Sequence, residues 1–292
     1  MSSFTKKRID VHLTLANKVF NNQNDANRLE LTGFRVVAEI KKAGMLSQGS
    51  KARIKIYGMK QDDMNALSIL VWESMQVQKN KIDVFVGDEN GLSQVVGGDI
   101  TNAWADYSAA PEVCLVIDAI PVFYDRIKEA PPTSYPKGLD VAVAMKNIAD
   151  QMGIQFKNNG VNIKLSSTYF GGTAMRQAEN IARHADIMLI VDNNILTISP
   201  KGSPVDGEIP LISPSTGLIG YPAYHKNGIS FNTLYNPAVK FNGLINLQDS
   251  LDIVKGEWIV TGLDYQLESE KPNGAWFCQI EAARFGNAIT AK

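Results

Sequence analysis

The sequence of 292 residues is poor in the residues that build catalytic, metal and redox sites, with two cysteines and three histidines. Cys114 in "PEVCLVI" and Cys278 in "WFCQIE" both stand in apolar, strand-like runs, where a free thiol behaves as a small hydrophobe. The N-terminal "MSSFTKKRIDVHL" lacks the apolar stretch of a secretory signal, so no oxidising compartment is indicated. Both cysteines are therefore read as reduced and structural. His12, His184 and His225 fall in three separate regions, whereas a zinc site needs three or four convergent ligands at short spacing. They are read as surface or satisfied polar residues, and no metal or cofactor is expected. Long hydrophobic runs are missing as well. The longest fall well short of the ~18 residues of a membrane span, which predicts a soluble protein made in a cytoplasm, with no direct membrane insertion.

An excess of one charge is also absent. Lys and Arg number 29 against 30 Asp and Glu, a formal net charge of -1. A protein that grips phosphates carries a basic excess on at least one domain, so a dedicated nucleic-acid binder is disfavoured. A surface that DNA merely passes is compatible with this balance. The glycine pairs at Gly97 and Gly171 lack a following Lys-Ser/Thr or a G-x-G-x-x-G pattern, and they are read as turns rather than phosphate loops. A carboxylate pair for glycoside hydrolysis leaves little trace in sequence. Asp62 and Asp63, however, open a predicted helix, where Asp62 as a cap and both acids near the dipole account for them. No catalytic, cofactor-binding or metal-binding residue is assigned.

What the sequence does contain is strand patterning. Val11, Leu13 and Leu15 alternate with His12 and Thr14, and "KARIKIYG" alternates Ala52, Ile54 and Ile56 with Lys51, Arg53 and Lys55, a solvated basic face. In "RLELTGFRVVAEI", Leu29 and Leu31 keep one register and Phe34, Val36, Ala38 and Ile40 the other, which predicts one long strand bent at a Gly33 bulge. Met64, Leu67 and Leu70 form the face of a short helix. "KIDVFVGDENGLSQVVGGDI" predicts a hairpin and "PEVCLVIDAIPVFY" a central strand, its inner run almost wholly apolar.

The pattern changes after "KEAPPTSYPKG", whose prolines mark a linker or domain edge. Val141, Met145, Ile148, Ala149 and Met152 share one helical face ending at Gly153, and Ala174, Ala178, Ile181, Ala182 and Ala185 share another. "VNIKLSS" and the hairpin "IMLIVDNNILTIS" complete a small α+β unit. Strands then return. "FNTLYNPAVKFNGLINLQDSL" is a strand, a corner at Pro237 and a second strand, anchored by Phe231, Leu234, Ile245 and Leu247. Asn232, Asn236, Asn242 and Asn246 fit turn chemistry and strand-face hydrogen bonding. "EWIVTGLDYQLESE" and "AWFCQIEAARF" form a long hairpin, apolar on both faces, whose outer face suits a neighbouring domain or subunit.

Several of these stretches, in this order, resemble the baseplate hub proteins of contractile-tailed bacteriophages. They are the "YGM" of Tyr57-Gly58-Met59, the "MNALS" of residues 64–68, the "VFVGDENGLSQVVGGDI" hairpin, the "G..V..AM..IA...G" helix from Gly138 to Gly153, and the "F.tLyNP" element beginning at Phe231. The resemblance implies a β-rich α+β fold with two tail-tube-like β-barrel domains and a small inserted α+β domain. The expected limits are 1–130 for the first tube-like domain, 131–202 for the small domain and 203–292 for the second, with completion of the last by strands from 112–127 left open.

It further implies a non-enzymatic structural hub in the virion tail. A homotrimeric ring would join the hexameric tail tube to the trimeric spike and enclose a channel through which DNA passes without specific binding. The implied partners are the tail tube, spike and tape measure proteins and other baseplate proteins, with assembly in the host cytoplasm. Two alternatives remain at this point: the hub of a tail-like bacteriocin or other contractile injection system, and a cell-wall or carbohydrate-acting tail-tip enzyme with carboxylates in residues 131–200. A carbohydrate-binding adhesin is disfavoured because the aromatics alternate with strand periodicity.

Overall fold

The computed structural model describes residues 5–16, 19–20, 27–44, 49–68, 79–166, 169–225, 228–248 and 251–285. The N-terminal part forms β1 (Arg8–Thr14), β2 (Arg28–Leu31), β3 (Arg35–Lys42), β4 (Lys51–Tyr57), α1 (Gln61–Leu67), β5 (Lys81–Asp88), β6 (Gly91–Asp106), β7 (Cys114–Ile120) and α2 (Phe123–Ile127). The middle part forms β8 (Thr133–Ser134), α3 (Val141–Met152), β9 (Gln155–Asn158), β10 (Tyr169–Phe170), α4 (Ala174–His184), β11 (Ile187–Asp192) and β12 (Ile195–Pro200). The C-terminal part forms β13 (Leu211–Ile212), β14 (Leu218–His225), β15 (Gly228–Leu234), β16 (Leu244–Leu247), β17 (Gly256–Glu268) and β18 (Trp276–Arg284).

The first seven strands make an antiparallel run in the order β3-β4-β7-β6-β5-β1-β2. Its two outermost strands are consecutive in sequence, joined only by Thr32, Gly33 and Phe34. That link reaches at most ~14 Å, whereas the outer strands of a flat seven-strand sheet lie ~29 Å apart. The run is therefore strongly curled. Gly33, at φ +73°, turns the chain from one edge of the run to the other; it is a corner between two strands and not a bulge within one. Ile9, Val11, Ala38, Ile54, Ile82, Val84, Leu115 and Ile117 fill the inside of the curl, each the inward half of a period-two alternation.

The C-terminal strands repeat the device. Their order is β14-β15-β18-β17-β16-β13, and the outermost pair, β13 and β14, are again sequence neighbours. The Leu218 amide donates to the Ser213 carbonyl at 2.9 Å, which brings the two ends of this run together. The two runs meet on one edge of β17. Its residues 256–259 pair with β16 and its residues 263–268 pair with β3, with a bulge between Val260 and Gly262 at the changeover. One apolar cluster is continuous through both runs. The strand within 112–127, β7, lies between β4 and β6, so it completes the first run and not the C-terminal one.

A second apolar cluster belongs to the middle part, where α3 and α4 cover the three-stranded sheet β11-β12-β9. Both helices start and stop as their sequences dictate. The Asp140 carboxylate accepts from the Ala142 amide at 2.7 Å, Gly153 takes the left-handed conformation (φ +70°) after α3, and the Thr173 hydroxyl accepts from the Arg176 amide at 3.2 Å. "VNIKLSS" contributes no strand among the described residues beyond a bridge at Lys164. The third strand is β9, parallel to β12. The proline-bearing stretch after Ala130 carries β8, and Tyr135 in it is buried in the small core, so it is part of the unit's wall.

Two helix and glycine expectations also change. Lys60, not Asp62, is the cap residue of α1, and it makes no side-chain cap; Asp62 and Asp63 lie in the first turn. Met64 and Leu67 are buried as expected, while Leu70 lies outside the described residues. Gly97 and Gly98 are not a turn but sit inside β6, where the backbone is approached closely from both sides.

Candidate functional site

The expected absence of a catalytic constellation directs attention to surfaces. His12 is on β1, tilted against Phe85 and 2.9 Å from the Arg28 guanidinium; His184 ends α4 against Phe170; His225 lies on β14. Among the described residues no group of three His, Cys, Asp or Glu side chains could hold a metal ion. Cys114 and Cys278 are buried free thiols, and desolvation pushes the Cys278 thiol up to about 12.

A trough of about 540 Å³ lies on the outward face of the sheet, running across β18, β17, β3, β4, β7 and β6. Strand register creates it. One row across the sheet reads Gln266, Glu39, Arg53, Asp118 and Asn102, and the next reads Gln279, Asp264, Lys41 and Lys51. These are the outward halves of the alternations whose inward halves form the core. Arg53 grips Asp118 through Nε at 2.7 Å and Nη2 at 3.0 Å, and Lys41 meets Asp264 at 2.8 Å. The hydrogen bond and charge of Asp118 raise the Arg53 guanidinium further, and those of Asp264 raise the Lys41 ammonium. The basic "KARIKIYG" face expected to be merely solvated thus meets acids from strands remote in sequence, which the local pattern could not reveal.

At the end of the first run, the β11–β12 turn of the small unit docks onto the strands. Asn193 and Asn194 adopt positive φ, as a tight hairpin demands. Asn193 Nδ2 donates to the Gln94 carbonyl at 2.9 Å and Asn194 Nδ2 to the Asp83 carboxylate at 3.3 Å. Gly97 leaves room for them, since a Cβ there would lie 2.8 Å from Asn194 Nδ2. On the other side Lys79 links Asp125 of α2 at 2.9 Å and the Met152 carbonyl of α3 at 3.2 Å. The join between the two apolar clusters is thus made by polar side chains.

The corner at Pro237 is built by its asparagines. Asn236 Oδ1 accepts from the Ala238 amide at 2.9 Å, and buried Asn242, at φ +56°, donates from its side chain to the Ser203 carbonyl at 3.1 Å. Asn232 and Asn246 lie on strands opposite Gln279 and Glu257. Phe231, Ile245 and Leu247 are buried, but Leu234 is more than a third exposed. Tyr235, beside it, packs instead against Tyr265 and Trp276, with ring centroids 5.9 and 5.8 Å away. Among the described residues β14 is the outer strand of the C-terminal run, and this edge exposes Ile219, Tyr221 and Tyr224. A bulge at Gly220 and Pro222 blunts that edge against indiscriminate pairing.

Comparison with known proteins agrees with this architecture. The structure is similar to the 43 kDa tail protein of prophage MuSo2 from Shewanella oneidensis, at 8% identity and TM-score 0.60 over 94% of this chain and 96% of that one. It is similar to a tail protein from Neisseria meningitidis MC58, at 10% identity and TM-score 0.64 over 96% and 98%. It also resembles a chain of the Francisella PdpA-VgrG complex, at 10% identity and TM-score 0.51, covering 97% of this chain but 58% of that one. A search of curated protein sequences finds no match. The sequence model of the family described as baseplate hub gp41 matches residues 9–279. With that match covering most of its length, the chain belongs to the baseplate hub gp41 family.

Proposed function

We propose that this hub acts as a homotrimeric ring in the baseplate of a contractile tail, seating the hexameric tail tube on one face and the trimeric spike on the other. In this reading each curled strand run is one tube-like barrel, with the small α+β domain at 131–202 inserted between the first domain at 1–130 and the second at 203–292. Three copies then offer six barrels to a sixfold tube while keeping threefold symmetry towards the spike. The observation that carries the reading is the pairing of β3 with β17, which fuses two curled runs into one sheet with a common outward face. That face, lined by the trough, is the channel wall past which DNA and the tape measure protein move. The exposed aromatics of β14 are available for a neighbouring subunit or another baseplate protein.

The role is one of shape and assembly rather than catalysis, and assembly takes place in the host cytoplasm. Mass measurement in solution, combined with negative-stain imaging of purified tails, tests the reading. A threefold ring beneath the tube is expected, and a strictly monomeric protein missing from purified particles contradicts it. The fold similarity to a chain of the PdpA-VgrG complex favours a second reading, in which the same ring serves a contractile injection system other than a virion. Genome neighbours with or without capsid genes separate the two.

A further inference from the structure

We propose that the trough is a self-neutralised surface for passing DNA, in which Asp118 and Asp264 mask Arg53 and Lys41, so that loss of these two carboxylates turns the same face into a DNA-binding one. The inference rests on the channel reading and adds to it the residues that keep the wall from gripping its cargo.

The trough is not poor in charge. Its lining holds Lys41, Lys51 and Arg53 against Glu39, Asp118 and Asp264. Cations and acids are equal in number; the row Glu39, Arg53, Asp118 alternates sign, and in the next row Asp264 stands beside Lys41, whose other neighbour is Lys51. Arg53 is the decisive case. A guanidinium binds phosphate through the same two-pronged fork that binds carboxylate, and both prongs of this fork are held by Asp118 at 2.7 and 3.0 Å. Glu39 stands directly across from Arg53 on the other side. Lys41 is bridged to Asp264, and Glu281 on β18 adds to the negative field around it.

The cations are not buried: the Arg53 and Lys41 side chains are 52% and 61% exposed, within reach of a polyanion. Exposed ion pairs of this kind contribute little to stability, so stabilisation does not account for two of them in one concave face. Masking does. A polyanion sliding past meets Arg53 and Lys41 already held by carboxylates, and the counterion release that drives non-specific DNA binding is reduced.

The test uses the purified full chain and a short fluorescent DNA duplex of mixed sequence, titrated at low salt. Wild type is expected to bind weakly, and D118N/D264N at least ~10-fold more tightly, with a salt dependence steeper by ~0.9 in the log-log slope for each cation released. Adding K41Q and R53Q should remove the gain. Should D118N/D264N unfold, the K41Q/R53Q variant of the otherwise native chain remains decisive: it should bind DNA as weakly as wild type. A folded D118N/D264N variant that gains no affinity, or a loss of affinity in K41Q/R53Q, overturns the proposal. A density map of tails with this face turned away from the axis would contradict the channel reading instead and leave the binding result standing.

Discussion

Lys42 Nζ lies 2.6 Å from both carboxylate oxygens of Asp192 and 3.3 Å from Asn193 Oδ1, so the last residue of β3 holds the hairpin turn of the small unit. Lys42 is only 5% exposed and Asp192 is 30% exposed. An ammonium so placed is tolerated because it is paired, and removing one partner strands the other. Lys42→Ala is expected to lower unfolding free energy by about 3 kcal/mol. Chemical denaturation measures the loss. Hydrogen exchange should speed up first in β11 and β12, and unchanged exchange there would contradict the docking role.

The same joint depends on an absent side chain. A Cβ at Gly97 would stand 2.8 Å from Asn194 Nδ2 and from Gln94 Nε2, and 3.1 Å from Asn193 Cα. Gly97→Ala should therefore push the hairpin off β6 at a cost of about 1–3 kcal/mol. Gly91→Ala is the control, since a Cβ there meets nothing within 4 Å. Thermal unfolding of the two variants should differ clearly, and equal melting temperatures would rule out a close approach at Gly97.

Burial holds the Asp99 carboxyl above its ordinary 3.8, although the Tyr124 amide and Lys79 pull the other way. The folded chain therefore binds this proton more readily than the unfolded one. Stability from this group falls as pH rises from 3.8 through the raised value, and stays lower above it. Asp99→Asn keeps an acceptor for the Tyr124 amide and removes that penalty. The variant's stability relative to wild type should grow with pH through this window and then level off at neutral pH. Unfolding followed from acid to neutral pH checks the sign, and a variant that loses more stability at pH 7 than in acid would reverse it.

Both thiols are shielded, Cys278 fully and Cys114 nearly so, and burial pushes the Cys278 thiol up to about 12. Thiolate is the reactive form. A maleimide or disulfide reagent at mildly alkaline pH should label neither cysteine in the native protein and both after denaturation. Prompt native labelling at Cys278 would contradict the packing of β18 against β15 and β17.

Period-two alternation made most strands of both runs legible, as in Ala52, Ile54 and Ile56, because burial on one face leaves a local signature. The two helices of the small unit were legible for the same local reason, though their caps, Asp140 and Thr173, were not named from the sequence. What the pattern could not show was partnership. Leu29 to Ile40 reads as one bent strand, yet Gly33 sends its halves to opposite edges of a run. Whether a glycine pair is a turn or a close approach depends on what arrives from outside, and at Gly97 it is a hairpin from about a hundred residues later. The trough stayed hidden likewise, since Arg53 and Asp118 are 65 positions apart. Without a catalytic motif, a resemblance spread over short, ordered stretches was the sequence signal that led to the family.

Averaged electron micrographs of assembled tails, at a resolution that traces β-strands, test the central claim most directly. The account predicts three copies in a closed ring between tube and spike, each giving two curled strand runs to the tube-facing side, with Glu39, Lys41, Arg53 and Asp118 towards the axis. A ring of another order, or one with this face turned to the outside, would contradict it.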